Sequence, residues 1–310
     1  MKATTNGIKE KLKQNLKEFE ISDGDKIKHY LEKCEYEESN HNLVNMVMWL
    51  DEFPLYYYEE EMMLLVFGIH QGEVFMYMPL CAKSDFKEAI KKAGEIFKQI
   101  NEPLLFSCFT IEMAELALKL SDSYKIEQVV ESSDYVYDAQ KLQVMSGKKL
   151  QKKRNHINAF EEEYSGRYEY ESINEENAKE CLAFLEHWKD EDEDLFLKQD
   201  HRGSEHVLKL IGQLPSRGGC IRIDGKIEAF AIGSWLSKEM VQENIEKANN
   251  AFRGLYPLML REFLKHEFPN AIWVNREDDM GYENLRRSKR SYDPVRMVDK
   301  YRVTLKEGDK

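Results

Sequence analysis

The sequence predicts two α/β units in tandem, each a mixed sheet flanked by helices. Three observations predict it. Short apolar runs bounded by turn residues alternate with stretches whose apolar residues recur at helical spacing. Two hairpin signals, His70-Gln71-Gly72-Glu73 and Asp224-Gly225, join strand candidates. One order of elements (strand, two helices, three strands, helix, strand, helix, strand) also reads twice along the chain, a repeat of architecture without visible repetition of sequence.

A helix over 8–19 opens the first half. Ser22 or Asp23 can cap a second helix through about 34, because a short side-chain oxygen accepts from the free N–H groups of a first turn. A third covers 41–50, and strands follow at 55–58, 62–69 and 74–78. Ser84-Asp85 caps a helix through 100, with Phe86, Ile90, Ala93 and Phe97 on one face. A buried strand at 104–109 leads to Thr110, the cap of a helix through 120. Strands at 125–131 and 135–138 close the unit.

The second half begins with a strand at 168–173. Asn174 caps a helix through about 190, with Ala178, Cys181, Leu182 and Leu185 on one face. A helix over 204–214 and strands over 220–223, 227–236 and 240–247 come next. A helix over 256–268, a strand over 271–275, a helix over 282–290 and a strand over 295–303 complete it. Residues 141–164 read as a basic helix bridging the halves. The expected domains are therefore 1–140, a degenerate partner that shapes a groove, and 165–310, which carries the chemistry.

A chain of 310 residues suits two domains of ordinary size. With 42% hydrophobic and 33% charged residues it is globular rather than disordered. No apolar run approaches the ~18–20 residues of a membrane span. The start, M-K-A-T-T-N-G-I-K-E-K-L-K, has no apolar core of a secretory signal. Five scattered cysteines without a C-x-x-C read as reduced thiols, so the expectation is a cytoplasmic protein with no metal site. A net charge of −12 argues against general coating of nucleic acid. Acid concentrates at 59–61 and 186–194, while Lys148, Lys149, Lys152, Lys153 and Arg154 form one basic block and Arg286, Arg287, Lys289 and Arg290 another. These leave room for a local anionic partner, either tRNA phosphates or an anionic membrane surface.

Candidate site residues cluster after 240. Glu246 ends an apolar strand where a sheet opens toward a pocket. Its carboxylate suits a general base or a hold for an α-ammonium group; alternatively it is a surface glutamate paired with Lys247, although alternation points those side chains to opposite faces. Arg253-Gly254, between strand and helix, brings a cation and backbone N–H groups to one point, as phosphates or an acyl carbonyl require. Asn275, Arg276 and Glu277, with Asp278 and Asp279, follow a buried strand, the usual place for an α/β site; the bland alternative is a polar loop with Asp279 as a cap. Tyr282 suits a general acid or a helix-start aromatic staple. Lys289 suits oxyanion stabilisation or an exposed basic face. Tyr292 reads as core. On the basic segment Arg154, Asn155 and His156 are substrate-binding candidates, and Lys149, Lys152, Lys153 and His156 share one helical face. No Walker or dinucleotide fingerprint occurs.

Four segments carry a family resemblance: G-K-K-L-Q-K-K-R-N-H-I-N-A-F (147–160), I-E-K-A-N-N-A-F-R-G-L-Y (245–256), V-N-R-E-D-D-M-G-Y-E-N-L-R-R-S-K (274–289) and S-Y-D-P-V (291–295). With them the chain resembles stand-alone bacterial relatives of the phosphatidylglycerol lysyltransferase C-terminal domain, over nearly its whole length. The resemblance implies two tandem GNAT-like acyltransferase domains, and the element order matches that fold. It also implies aminoacyl transfer from charged tRNA to a lipid hydroxyl or, as in related peptidoglycan-bridge ligases, to an amine. Glu246 falls where those synthases place an acidic residue, and Lys289 on their lysine in L-R-R-x-K. The membrane-spanning half of the synthases is not seen here, which bears against lipid modification. A CoA-binding GNAT carries Arg/Gln-x-x-Gly-x-Gly/Ala after its central strand; here stands Arg253-Gly254-Leu255-Tyr256-Pro257, with one glycine and a proline that lacks an N–H.

The expected function is acyl transfer with aminoacyl-tRNA as donor and a lipid or small-molecule acceptor. Glu246 would handle the acceptor, while Arg253 and Lys289 would stabilise the oxyanion. The alternatives are an acyl-CoA-dependent N-acyltransferase and a non-catalytic module that binds RNA or a peptide.

Overall fold

The computed structural model describes residues 5–188 and 195–308, so the end of the helix expected to run to about 190 and most of the acidic run to 194 lie outside the described residues. The described residues form two mixed sheets with helices, an α/β fold. In the first sheet the strand order is Lys17–Glu18, Leu55–Glu60, Met63–His70, Glu73–Met76, Leu105–Phe109, Tyr301–Leu305, Tyr124–Gln128, with Leu80–Cys81 paired on Met63–His70. In the second it is Arg296–Val298, Asp134–Asp138, Trp273–Asn275, Met240–Ala248, Lys226–Trp235, Ser216–Ile223, Tyr168–Ser172. Each sheet joins an antiparallel meander to the rest through one parallel pair: Glu73–Met76 with Leu105–Phe109, and Met240–Ala248 with Trp273–Asn275.

Local chemistry explains most elements. Gln71 and Gly72 (φ 49° and 78°) and Asp224 and Gly225 (φ 51° and 81°) form the two hairpin turns, with the paired positive φ that matches strand twist. Thr110 caps the helix Ile111–Leu118 through the Met113 N–H. The helix Phe86–Gln99 buries Phe86, Ala89, Ile90, Ala93, Ile96 and Phe97, one face at helical spacing, in the core of the first unit. The core of the second unit forms around the helix Leu255–Glu267, whose Leu258, Met259, Leu260 and Phe263 are fully buried.

Three expectations are corrected. The opening helix stops at Lys13. Leu16 and Phe19 continue the helical spacing of Ile8 and Leu12, but the backbone between them pairs with Tyr56 and Tyr57, and edge-strand hydrogen bonds replace helical ones. The basic stretch 141–164 is two helices, Ala139–Val144 and Gln151–Glu163, broken where Met145 and Gly147 take positive φ (49° and 94°). Both pack within the second unit, through Leu142, Leu150, Ile157 and Phe160.

The third concerns strand pairing. Asp134–Asp138, expected to close the first half, pairs with Trp273–Asn275, Val274 facing Tyr137. The single strand expected over 295–303 is two. Arg296–Val298 stays in the second sheet, and Tyr301–Leu305 enters the first between Leu105–Phe109 and Tyr124–Gln128. One compact unit thus takes the described residues to Leu43, Trp49–Ser133 and the chain from Val298; the other takes Val44–Met48 and Asp134–Met297. Apolar alternation reveals a strand's faces but not its hydrogen-bonded neighbours.

Candidate functional site

The central strand Met240–Ala248 positions the site. It pairs with Trp273–Asn275 through its first three residues only, Met240 with Trp273, Val241 with Val274 and Gln242 with Asn275. Beyond Gln242 the sheet opens. On its other side the register with Lys226–Trp235 shifts: Gly233 faces Glu243 and Ile232 faces Ile245, so Asn244 is the extra residue of a β-bulge. In an unbroken strand Glu243 and Glu246, three apart, would point to opposite faces. The bulge turns both to one face.

There they meet Arg276, the first residue past the neighbouring strand. Its Nε donates to Glu243 Oε2, and its Nη2 donates to Glu246 Oε2 at 2.6 Å. The side chains of Glu243, Glu246 and Arg276 are 4%, 11% and 9% exposed, so this is a nearly buried pair of carboxylates on one guanidinium. Glu243 Oε1, Glu246 Oε1 and Arg276 Nη1 have no hydrogen-bond partner among the described residues. The guanidinium lies 4.6 Å from the Tyr292 ring centroid and 5.7 Å from that of Tyr137. Lys153, from the helix Gln151–Glu163, brings Nζ to 3.9 Å from the Tyr292 centroid.

Burial, and then the charge of Glu243, push the Glu246 carboxyl well above the usual carboxylate range against the pull of Arg276. Burial opposes the charge on Arg276, and the two carboxylates outweigh it. Burial and the nearby guanidinium lower the Lys153 ammonium to about 8.

The opposite face of the strand carries a separate group. Lys247 reaches Asp200 and stands over Trp188, so it is not the partner of Glu246. Glu277, at φ 58°, accepts at Oε1 from Gln242 Nε2 (2.7 Å) and Asn45 Nδ2 (3.1 Å). Burial raises its carboxyl to about 7. A carboxyl raised on folding binds its proton more tightly in the folded state, so its contribution is present below about 4.5 and is lost as pH rises through about 7. Glu277→Gln is therefore expected to gain on the order of 3 kcal/mol relative to wild type between about pH 4.5 and pH 8. Urea unfolding of both proteins across that range measures this; a difference that does not vary with pH would show that Glu277 keeps an ordinary carboxylate.

The remaining sequence-predicted residues are placed as follows. Lys289 donates from Nζ to the backbone oxygens of Arg276 and Glu277, the latter at 3.3 Å, and its own carbonyl accepts from Tyr137 Oη at 2.9 Å. Its ammonium holds the loop that carries Arg276. Asn275 is buried, donating to Asp134 Oδ2 and accepting from the Glu277 N–H at 2.7 Å, so it shapes the same loop. Burial would raise the Asp279 carboxyl, but the Arg286 fork (2.9 Å to each oxygen) and Tyr135 Oη (2.6 Å) outweigh it and hold it low. Tyr282 sits at the start of the helix Glu283–Arg290, its ring stacked on Phe196.

Arg253 Nη2 donates to His156 Nε2 at 3.0 Å; burial, then the charge of Arg253, lower the His156 pKa and favour that accepting form. Gly254 has φ 99°, and a Cβ there would lie 2.4 Å from the His156 carbonyl oxygen. The strand-to-helix turn is therefore covered on that side by the helix Gln151–Glu163. Arg154, a substrate-binding candidate, spends its guanidinium on the Met145 and Gly147 carbonyls and on Gln151, holding the break before its own helix. Asn155 accepts from Gln151. The expected cationic face is likewise divided, because Lys149 pairs with Asp293 at 2.6 Å and Lys153 turns in to Tyr292.

Sequence reasoning singled out Glu246 and Arg276 but missed Glu243, Tyr137 and the inward turn of Lys153. No sequence signal marks the bulge that recruits Glu243. Among the described residues no group of three or more His, Cys, Asp or Glu is placed to hold a metal ion, and no helix is long and apolar enough to cross a membrane. A hollow of about 350 Å³ lies in the first unit, between Leu16-Lys17 and Tyr57–Glu59, and contains none of these groups.

Comparison with known proteins places the chain and its fold. A structure of a protein of unknown function from Bacteroides thetaiotaomicron VPI-5482 matches with a TM-score of 0.89 and 26% identity, over 94% of this chain and 99% of that one. The structure of L-PGS from Bacillus licheniformis matches with a TM-score of 0.67 and 16% identity, over 92% of each chain, a likeness of fold. An uncharacterized protein of Mycoplasmoides gallisepticum is 27% identical over 228 residues, 71% of each chain. The likenesses of structure cover both mixed sheets of the α/β fold. The model of the family described as phosphatidylglycerol lysyltransferase, C-terminal, matches residues 32–304, and this chain belongs to that family.

Proposed function

We propose that this protein is an acyltransferase that moves an aminoacyl group from charged tRNA to a lipid hydroxyl or a small amine. The observation that carries the reading is the pair of carboxylates, turned to one face by a bulge and clamped on Arg276, with unpartnered polar atoms where the sheet opens. The Glu246 carboxylate takes the proton of the acceptor's O–H or N–H as its lone pair attacks the ester carbonyl carbon. The carbonyl π pair moves onto oxygen. On its return the bond to the tRNA oxygen breaks, and that oxygen leaves with the proton from Glu246. Lys289 and Asn275 act by holding the loop of Arg276.

Membership of a lysyltransferase family supports an aminoacyl donor. The turn at Gly254 supports it over a CoA ester. It is packed under the helix Gln151–Glu163, its Leu255 N–H is bonded to Phe252 O, and Pro257 has no N–H, which leaves little to cradle a pyrophosphate.

The test mixes the protein with total bacterial tRNA charged with labelled amino acids, a soluble lysate and anionic liposomes. Label is expected to leave tRNA only with active protein and to appear in a lipid, a peptide or a small amine. Label that stays on tRNA, beside a control synthase that works, would remove the aminoacyl reading.

A further inference from the structure

Around Arg276 two cationic donor atoms, Lys153 Nζ and Arg276 Nη1, have no hydrogen-bond partner among the described residues. Lys153 and Arg276 come from different elements, yet both stand at the Tyr292 ring, 3.9 and 4.6 Å from its centroid. Glu243 and Glu246 occupy Nε and Nη2 of Arg276, while Nη1 is buried without a partner. Lys153 has no carboxylate or hydrogen-bond partner among the described residues, although Lys149, one turn earlier, has Asp293. The charge of Arg276 works against the Lys153 ammonium and Glu246 offsets this only in part, so an anion that met both donors would be attracted to each. Lys289 and Arg253, the cations that the sequence suggested for an oxyanion, are engaged by backbone carbonyls and by His156.

We propose that Lys153 Nζ and Arg276 Nη1 form an anion subsite beside Tyr292, which holds the carbonyl oxygen of the transferred acyl group as it becomes an oxyanion. The identity of the anion rests on the transferase reading above; the existence of the subsite does not. The developing negative charge meets two fixed donors, one on a helix and one on a loop pinned by Lys289, so little reorganisation accompanies the attack. Glu246 lies within electrostatic reach of Lys153, which sets the proton acceptor beside the subsite. Burial and Arg276 keep the Lys153 ammonium weakly held at about 8, so an anion that pairs with it raises its proton affinity.

Two measurements test this on the full chain. In the first, Lys153 is followed by reductive methylation at about pH 8 with mass spectrometry, with the exposed Lys152 as internal control. Sodium acetate is expected to slow labelling of Lys153 about tenfold relative to sodium chloride at equal ionic strength, with Lys152 unchanged. Equal rates at Lys153 in both salts would overturn the subsite. Protection by inorganic phosphate alone would overturn the acyl assignment in favour of a phosphoryl group.

In the second, Lys153→Met is expected to lower kcat roughly 100-fold with KM within about threefold, and Lys153→Arg to recover most of the loss. An unchanged kcat in Lys153→Met would overturn the oxyanion role. Protection by acetate in a protein that transfers nothing would sink the transferase reading and uphold the subsite; transfer without protection would do the reverse.

Discussion

Arg276→Met is expected to destabilise the protein by about 3–5 kcal/mol, the largest effect of a single substitution at this site. Methionine keeps the apolar stem of arginine to about the Nε position and carries no charge or donor, so most of the loss is that of the ion pairs. The guanidinium holds Glu243 and Glu246, whose side chains are 4% and 11% exposed. Removing it leaves two neighbouring buried carboxyls without their cation, and burial and the charge of Glu243 already push Glu246 toward its protonated form. The Glu246 carboxyl then rises further, so the deficit grows as pH increases and shrinks in mild acid. Glu243→Gln combined with Glu246→Gln in the Arg276→Met background is expected to return roughly half of the loss, because the unpaired charges are gone. Urea unfolding of the three proteins at two pH values decides it. A loss below about 1 kcal/mol, the same at both pH values, would mean that water reaches the carboxylates and that the cluster is not the closed unit described above.

Glu246→Gln is expected to abolish most transfer, by a factor of about 10²–10⁴, while costing only about 1 kcal/mol of stability. The amide keeps an oxygen for Arg276 Nη2 and the shape of the side chain but cannot take a proton from the acceptor. Glu243→Gln is expected to act more weakly, because the 4% exposed Glu243 is deeper and shares Arg276 without opening toward the acceptor. Single-turnover transfer of labelled aminoacyl groups, with unfolding curves on the same samples, separates the two effects. Wild-type rates in Glu246→Gln would reduce Glu246 to a counter-ion of Arg276.

The value of Glu246 and Arg276 as candidates was legible locally. One ends an apolar strand, and the other begins a dense polar loop after a buried strand. The same reasoning did not tell apart the basic residues around them. Arg154 and Lys153 are adjacent in a basic block, yet one anchors carbonyls at the start of its helix and the other turns in to Tyr292. Glu243 went unnoticed because simple alternation sets it on the opposite face from Glu246, and the bulge that reverses this depends on the register with Lys226–Trp235.

The sequence by itself determined the α/β class, the repeated order of elements, both hairpin turns, the Thr110 cap and the family. These follow from residues close together in the chain: side-chain period, φ preference at Gly and Asp, and capping oxygens. Only the tertiary structure decided that Tyr301–Leu305 closes the first sheet and Asp134–Asp138 enters the second, that the central strand parts from its neighbour after Gln242, and which cations are already engaged. The physical reason is that strand pairing and charge pairing join residues far apart in sequence. Their free energies depend on burial and on which partner is present, neither of which a local pattern contains.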